Sequence, residues 1–219
     1  MRLRALDLFC GAGGATKGLQ RAGFHVTGVD IKPQPRYCGD SFVQADAMIF
    51  PLAWFDFIWA SPPCQAYSVS QSRPKQRKEY PMLVNALRDI LMGSDSEWCI
   101  ENVPGAPMRF PLVLCGASFG LGAQCADGIR RPLRRHRLFE SSRLIIGPCC
   151  QCDGIEKIGV YGNGGGFQNR FAPNRKGYKG CVSESREALG IPWMTVAELS
   201  QAIPPAYSEF IGRQIMEMP

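Results

Sequence analysis

Four short apolar runs in the first part of the chain each stop on a glycine-rich or polar group. That punctuation limits the fold more than any other feature. The first run, over 4–10, carries Leu6, Leu8 and Phe9 and passes into Cys10-Gly11-Ala12-Gly13-Gly14. The pattern then predicts a helix over 15–22. A second strand over 25–29 stops at Asp30, and a third over 42–45 stops at Asp46. A fourth, over 54–60, stops at Ser61-Pro62-Pro63-Cys64. Proline cannot extend a hydrogen-bonded ladder, so the fourth strand ends where the prolines begin. Strands alternating with helices, each ending in polar groups on one edge, predict an α/β fold. The sheet is doubly wound, with a ligand site at its carboxyl edge.

The first strand, the glycine-rich turn and the helix start together form a candidate nucleotide pocket. Glycines let the backbone approach a ligand, and the helix start supplies oriented N–H groups. Asp30 falls where an acid can bind ribose hydroxyls. A tight structural turn is the competing reading of the glycines. Asp46 can bond an adenine amino group, or simply cap the next turn of the chain. Cys64 is held on a stiff turn just past a strand end, placed for chemistry; one more buried core cysteine is the competing reading. The polar stretch 66–79 reads as a loop attached to that thiol, able to close over a substrate with its basic residues on phosphates. A helix over 80–92 carries Leu83, Leu87, Ile90 and Leu91 at helical spacing and stops at Gly93. A fifth strand over 98–100 ends in Glu101-Asn102, a sixth is expected over 112–115, and a terminal helix over 206–216.

The 219 residues suit one domain with a small appendage. At 45% hydrophobic and 20% charged, the composition is that of an ordinary soluble protein. No run has the length of a membrane span, and no signal peptide is visible, so a cytoplasmic location is expected, in a bacterium or a virus-infected cell. The net charge of +6 gathers after residue 72, in Arg73-Pro74-Lys75-Gln76-Arg77-Lys78, in Arg130 to Arg137, and in Arg170, Arg175, Lys176 and Lys179. Three such groups suggest a polyanionic partner.

Taken together, these residues resemble the DNA cytosine-5 methyltransferases, with the pieces in that family's order. Asp7-Leu8-Phe9-Cys10-Gly11-Ala12-Gly13-Gly14 is similar to the motif that holds S-adenosyl-L-methionine. Pro63-Cys64-Gln65 is similar to the nucleophile motif, Glu101-Asn102-Val103 to the motif that grips the target base, and Arg135-His136-Arg137 to an Arg-x-Arg element. Ala202-Ile203-Pro204-Pro205 is similar to the closing motif. The resemblance covers most of 1–140 and 182–219.

The resemblance implies a Rossmann-like, S-adenosylmethionine-dependent methyltransferase fold: a mixed, mostly parallel sheet with a small irregular insert. It implies catalytic roles for Cys64, Glu101, Arg135 and Arg137, with Arg135 holding the carbonyl at position 2 of the base. Donor contacts would come from Phe9, Gly11, Gly13, Gly14, Asp30, Ile31, Asp46, Ala47, Pro62, Gln201 and Ala202. Nucleic-acid contacts would come from Gln65, Ser68, Arg73, Lys75, Arg77, Lys78 and Arg170. The implied partner is double-stranded DNA from which a cytosine is flipped out, since its carbon 6 is out of reach inside the stack. Cations near Cys64, Arg135 among them, are expected to lower its pKa. The RNA-acting branch of the family, working on a tRNA loop, is the nearest alternative. A nucleic-acid-binding relative without catalysis is the alternative of another class.

Two departures carry information. Only about forty residues, 141–181, stand where the family has a large target-recognition domain. So short a segment predicts a relaxed recognition sequence or dependence on a partner protein; a monomer is expected. Ser200-Gln201 replaces the usual Gly-Asn of the closing motif, which leaves donor affinity open. The ten cysteines are scattered, which suits reduced thiols. Cys149 and Cys152 form a Cys-x-x-Cys, but zinc needs four ligands and no second pair is visible. Cys125, Cys181 or His136 would have to complete a site by long-range folding. The expectation is therefore free thiols in a turn and no metal.

Overall fold

A computed structural model describes residues 2–67, 80–161 and 178–217. The strands are β1 (Arg4–Leu8), β2 (His25–Asp30), β3 (Ser41–Gln44), β4 (Phe57–Ala60), β5 (Glu97–Asn102), β6 (Leu112–Leu114), β7 (Gly122–Gln124), β8 (Arg130–Pro132), β9 (Arg137–Ser141), β10 (Ile158–Gly159) and β11 (Tyr178–Lys179). The helices are α1 (Gly14–Ala22), α2 (Val84–Met92), α3 (Val182–Leu189), α4 (Val196–Gln201) and α5 (Pro205–Glu217). Seven strands make one sheet in the order β3-β2-β1-β4-β5-β9-β6. The first five in that order pair in parallel, while β9 runs antiparallel to both β5 and β6. The mixed, mostly parallel sheet expected from the sequence is therefore present. From β1 the chain moves outward to β2 and β3, then returns to lay β4 on the other side of β1. Strand order reverses at that point, which is where open α/β sheets place ligands.

Successive residues of a strand face opposite sides of the sheet. Ala5, Trp59, Cys99 and Phe139 face the side covered by α1 and α5, where Leu19, Phe24, Tyr207 and Ile211 complete a core. Leu6, Leu8, Ile58 and Ile100 face the other side, against Leu87 and Leu91 of α2. A third cluster joins Ala123, Leu133, Ile158, Val160 and Tyr178 to Leu189, Met194 and Leu199. It gathers the short strands β7, β8, β10 and β11 with α3 and α4.

The α1–α5 contact depends on Gly18. A Cβ there would lie 2.1 Å from the Pro205 carbonyl oxygen and from Ser208 Oγ, a separation that no side chain can occupy. Ser208 Oγ instead donates to the carbonyl of Ala15 at 2.7 Å. The end of the chain is thus sealed onto the first helix.

Three expectations change at their edges. The fourth strand begins at Phe57 rather than at residue 54: Trp54 is 82% exposed with a φ of 77°. The ladder with β1 starts at the pair Ala5–Phe57, so residue 54 has no strand to join. The helix expected from residue 80 begins at Val84. The residue before Pro81 is disfavoured in helical backbone, and the first turn forms only beyond it. The buried face of α2 is Val84, Leu87, Arg88 and Leu91, while Ile90 is 38% exposed. Arg88 holds its core position because Glu140 meets it with two hydrogen bonds, of 2.5 and 2.8 Å. Finally, β5 continues through Asn102, so Glu101 and Asn102 belong to the strand itself. Among the described residues no helix is long and apolar enough to cross a membrane.

Candidate active site

A cavity of about 410 Å³ opens at the carboxyl ends of β1 and β4. That volume suits a nucleoside-sized ligand. One wall is the turn after β1, with Phe9, Cys10, Gly11, Ala12 and Gly14. Phe9 and Gly11 adopt positive φ angles of 61° and 50°, a backbone that non-glycine residues rarely take. Asp30 fastens this turn, one carboxylate oxygen accepting from Gly11 N at 3.0 Å and the other from Lys32 N at 2.9 Å. A carboxylate has further lone pairs, so Asp30 can still meet ligand hydroxyls. Asp30, Ile31, Pro62, Gln201 and Ala202 all line the cavity, as do Phe9, Gly11 and Gly14.

The opposite wall carries the thiol. Cys64, Gln65, Glu101 and Arg137 line the same cavity. Glu101 is buried and pairs with Arg137, Nε to Oε1 at 3.1 Å. Asn102, fully buried beside it, donates from Nδ2 to the Pro62 carbonyl at 3.1 Å. The end of β5 thereby holds the turn that presents Cys64. Burial raises the Glu101 pKa, with Arg137 and Arg135 opposing the rise and Ser61 donating to the carboxylate. Burial thus disfavours the ionised carboxyl while the Arg137 pair favours it. Burial also pushes the Cys64 thiol up, and the Glu101 charge adds to the rise. The Arg137 and Arg135 guanidiniums pull the other way. The expected lowering by cations is thus outweighed, because the turn is partly desolvated and faces a carboxylate.

Four assignments from the sequence fall elsewhere. Arg135 does not line the cavity. It is 2% exposed, and its guanidinium donates to the carbonyls of Val160 at 3.0 Å and Ser200 at 2.9 Å. Burial lowers its pKa to about 9, with Arg137 contributing. Arg135 lies before β9, which begins at Arg137, and its guanidinium is taken up by the segments at Val160 and Ser200, so Arg137 is the one of the two that pairs with Glu101. Asp46 does not line the cavity either; its carboxylate accepts from Met48 N at 2.9 Å, the capping role that was its alternative. Ala47 is buried in the core beneath α2. Gly13 is the left-handed cap of α1, and a Cβ there would lie 2.8 Å from Cys38 Sγ. Ser68, Arg73, Lys75, Arg77, Lys78 and Arg170 lie outside the described residues.

The structure gives Asp7 of the glycine-rich motif a place, and adds groups that the sequence did not single out. Asp7 lines the cavity and is completely buried; Thr16 Oγ1 donates to its Oδ2 at 2.5 Å, while Oδ1 has no partner among the described residues. Burial lifts the Asp7 pKa to about 7, Thr16 opposing and Asp30 and Glu101 adding to the rise. Glu198 also lines the cavity and is held by Arg36, Nη2 to Oε1 at 2.8 Å, which lowers its pKa to about 2. Trp193 Nε1 donates to the Ala12 carbonyl at 2.9 Å, closing the C-terminal segment over the turn. Glu198 and Trp193 were not legible locally, because each depends on a segment distant in sequence. The cysteines near residue 150 carry no disulfide, and two of them are gathered with residues distant in sequence. Cys150 and Cys152 meet Cys115 and His136, with all four ligand atoms within 4.8 Å of one another.

Residues 3–107 match the family model described as C-5 cytosine-specific DNA methylase. No curated protein sequence matches the chain. Solved structures share the fold over nearly the whole length. Schizosaccharomyces pombe Dnmt2 methyltransferase is 15% identical, with 99% of each chain covered and a TM-score of 0.64. A structure described as a DNA modification methyltransferase encoded within an Escherichia coli prophage is 17% identical, with 98% of each covered and a TM-score of 0.61. The Entamoeba histolytica methyltransferase EhMeth is 13% identical over 99% of this chain and 97% of that one, with a TM-score of 0.55. The residues present suit the family's cofactor, S-adenosyl-L-methionine. The unpartnered buried oxygen of Asp7 can take a cationic amino group, and Asp30 can take hydroxyls. The thiol and carboxyl of the opposite wall fall within residues 3–107, the stretch that is similar to the C-5 cytosine-specific DNA methylase family.

Proposed function

We propose that the protein methylates carbon 5 of a cytosine flipped out of duplex DNA, by way of a transient bond between Cys64 and the base. The observation that carries this reading is one cavity holding Cys64, Glu101 and Arg137 on one side and the glycine-rich turn with Asp30 on the other. Carbon 5 of cytosine is a poor nucleophile. Addition of the Cys64 thiolate to carbon 6 shifts the ring's double-bond electrons toward carbon 5, which becomes carbanion-like. Asp7, Asp30 and the turn at Gly11 would hold S-adenosyl-L-methionine, whose sulfonium would supply an electrophilic methyl group to carbon 5 and leave as the thioether S-adenosyl-L-homocysteine. Glu101 holds ring nitrogen 3 and the exocyclic amine, and a proton shared with that nitrogen would offset charge that develops on the ring. Arg137 holds the carbonyl at position 2, the role that the sequence pattern assigned to Arg135. Loss of the carbon 5 proton to a base, with departure of the Cys64 sulfur, restores the ring. Asn102 is a positioning residue, acting through Pro62 on the turn that carries the thiol.

The positive charge of the chain and the substrate named by the family model that residues 3–107 match support DNA. Residues 141–181 act in this reading as a reduced recognition segment with a short or relaxed target. The test is transfer of label from the donor to duplex DNA and to tRNA, together with trapping on DNA that contains 5-fluorocytosine. Labelled DNA and a stable adduct at Cys64 are expected. Label on tRNA alone would move the protein to the RNA-acting branch. Neither label nor adduct would mark a binding protein that has lost catalysis. Bisulfite sequencing of DNA from expressing cells reads the target, and methylation confined to one long site would overturn the relaxed recognition.

A further inference from the structure

We propose that Cys115, His136, Cys150 and Cys152 bind one zinc ion in a closed tetrahedral site, at the edge of the sheet where residues 142–157 leave it. His136 Nε2 lies 3.1 Å from Cys150 Sγ and 3.6 Å from Cys152 Sγ, and the two sulfurs are 3.2 Å apart. Cys115 Sγ joins them with every ligand atom within 4.8 Å of the rest. Zinc–sulfur bonds of about 2.3 Å and zinc–nitrogen bonds of about 2.0–2.1 Å set tetrahedral edges of roughly 3.5–3.8 Å. The cluster is thus already near the size of a zinc coordination shell. A disulfide between Cys150 and Cys152 would need the sulfurs at about 2.05 Å.

The backbone explains the assembly. In the β6–β9 ladder Leu112 faces Phe139 and Leu114 faces Arg137. Continued by one residue, that register sets Cys115 opposite His136. The loop after β9 then folds back along β6. Gly147 packs so closely on Leu112 and Leu114 that a Cβ would lie 2.6 Å from the Leu112 side chain. Ser118 Oγ donates to the Cys149 carbonyl at 2.8 Å, and Gln214 of α5 exchanges hydrogen bonds with the backbone of Ile146. Cys150 and Cys152, two residues apart, reach the ladder end together.

Three thiolates and one imidazole are a soft ligand set that favours zinc, and four protein ligands leave no open position for a substrate. The ion's role is therefore structural. It ties the start of β9, next to Arg137, to the root of the 141–181 segment. Arg137 donates to the His136 carbonyl at 2.8 Å while it pairs with Glu101, so the metal site and the cavity wall share one stretch of backbone.

The experiment uses the full chain purified without chelator. Metal analysis is expected to find about one zinc per chain. Exchange for cobalt(II) is expected to give the visible bands of a tetrahedral, thiolate-bound ion. Alkylation read by mass spectrometry should spare Cys115, Cys150 and Cys152 until a chelator is added, whereas the exposed Cys149 should be labelled from the start. Cys152→Ser should lose the metal and Cys149→Ser should keep it. If Cys152→Ser does not fold, the cobalt spectrum and the alkylation pattern of the native chain still decide. A chain that neither carries nor takes up zinc overturns the proposal. So does protection of Cys149 in place of Cys150, or a Cys150–Cys152 disulfide in freshly purified protein.

Discussion

Cys64 and Cys152 show two opposite ways of using a thiol in one small protein. Cys64 is half-buried on a turn, with a carboxylate and a guanidinium facing it across an open cavity. Cys152 is 2% exposed and closed in by two other sulfurs and an imidazole. The first arrangement opens the thiol onto a cavity that a carboxylate and a guanidinium also line. The second uses every direction for mutual contact. Reactivity comes from openness and charge, and ligation from closure.

The sharpest test of that contrast is a pair of serine substitutions. Cys64→Ser is expected to lower methyl transfer by at least ~10⁴-fold, since a nucleophile's partners cannot act without it. Its thermal midpoint and its zinc content should not change. Cys152→Ser is expected to lose the metal and to unfold more easily, with the remaining activity falling only as folded protein is lost. Identical behaviour of the two variants in metal content and melting would break the distinction.

The next largest effects separate the two arginines that sequence alone could not tell apart. Arg137→Ala should cost about 10²–10³ in turnover, the usual loss for one oriented donor, with little change in melting. Arg135→Ala should cost ~3 kcal/mol of stability, because its buried guanidinium joins the carbonyls of Val160 and Ser200. Chemical denaturation and steady-state rates on both variants check this, and a large rate loss in folded Arg135→Ala would return it to the catalytic role that the sequence pattern implied. A smaller effect is expected at the α1–α5 contact. Gly18→Ala forces α5 away from α1 and should cost about 1–3 kcal/mol in denaturant unfolding, leaving zinc content intact.

The two thiol sites also differ in how much of each could be read in advance. Pro62-Pro63-Cys64 announces itself within a few residues, because proline ends a strand and the strand end is where ligands bind. Asp30 and Glu101 were legible for the same reason. The cluster at His136 was not. Its members come from the end of β6, the start of β9 and a loop beyond, and their meeting depends on a strand register that no local pattern encodes. Arg88 shows the same limit. A charged residue on the buried face of α2 breaks the periodicity, and only its distant partner Glu140 makes the position tolerable. Asp46 failed differently. The acid was seen, but whether it caps Met48 or faces a ligand depends on where the next turn goes.

The smallest expected effect probes the charge around Cys64. Glu101 raises the thiol's pKa, second only to burial. Below its pKa a thiol gains thiolate about tenfold per pH unit, so alkylation of Cys64 should climb through the neutral and mildly alkaline range. Glu101→Gln removes the negative neighbour while Arg137 stays. The alkylation curve should therefore move to lower pH, with a rate gain of up to about tenfold where Glu101 would carry its charge. Methyl transfer should fall in the same variant, because an amide cannot lend a proton to ring nitrogen 3. The profile of kcat/KM against pH should respond to both acids, since transfer needs Cys64 as the thiolate and Glu101 able to share a proton. Slower alkylation in Glu101→Gln would mean that the carboxylate draws the thiol's proton instead of repelling the thiolate. Glu101 would then serve as the base that activates Cys64, and the proton for ring nitrogen 3 would have to come from another group.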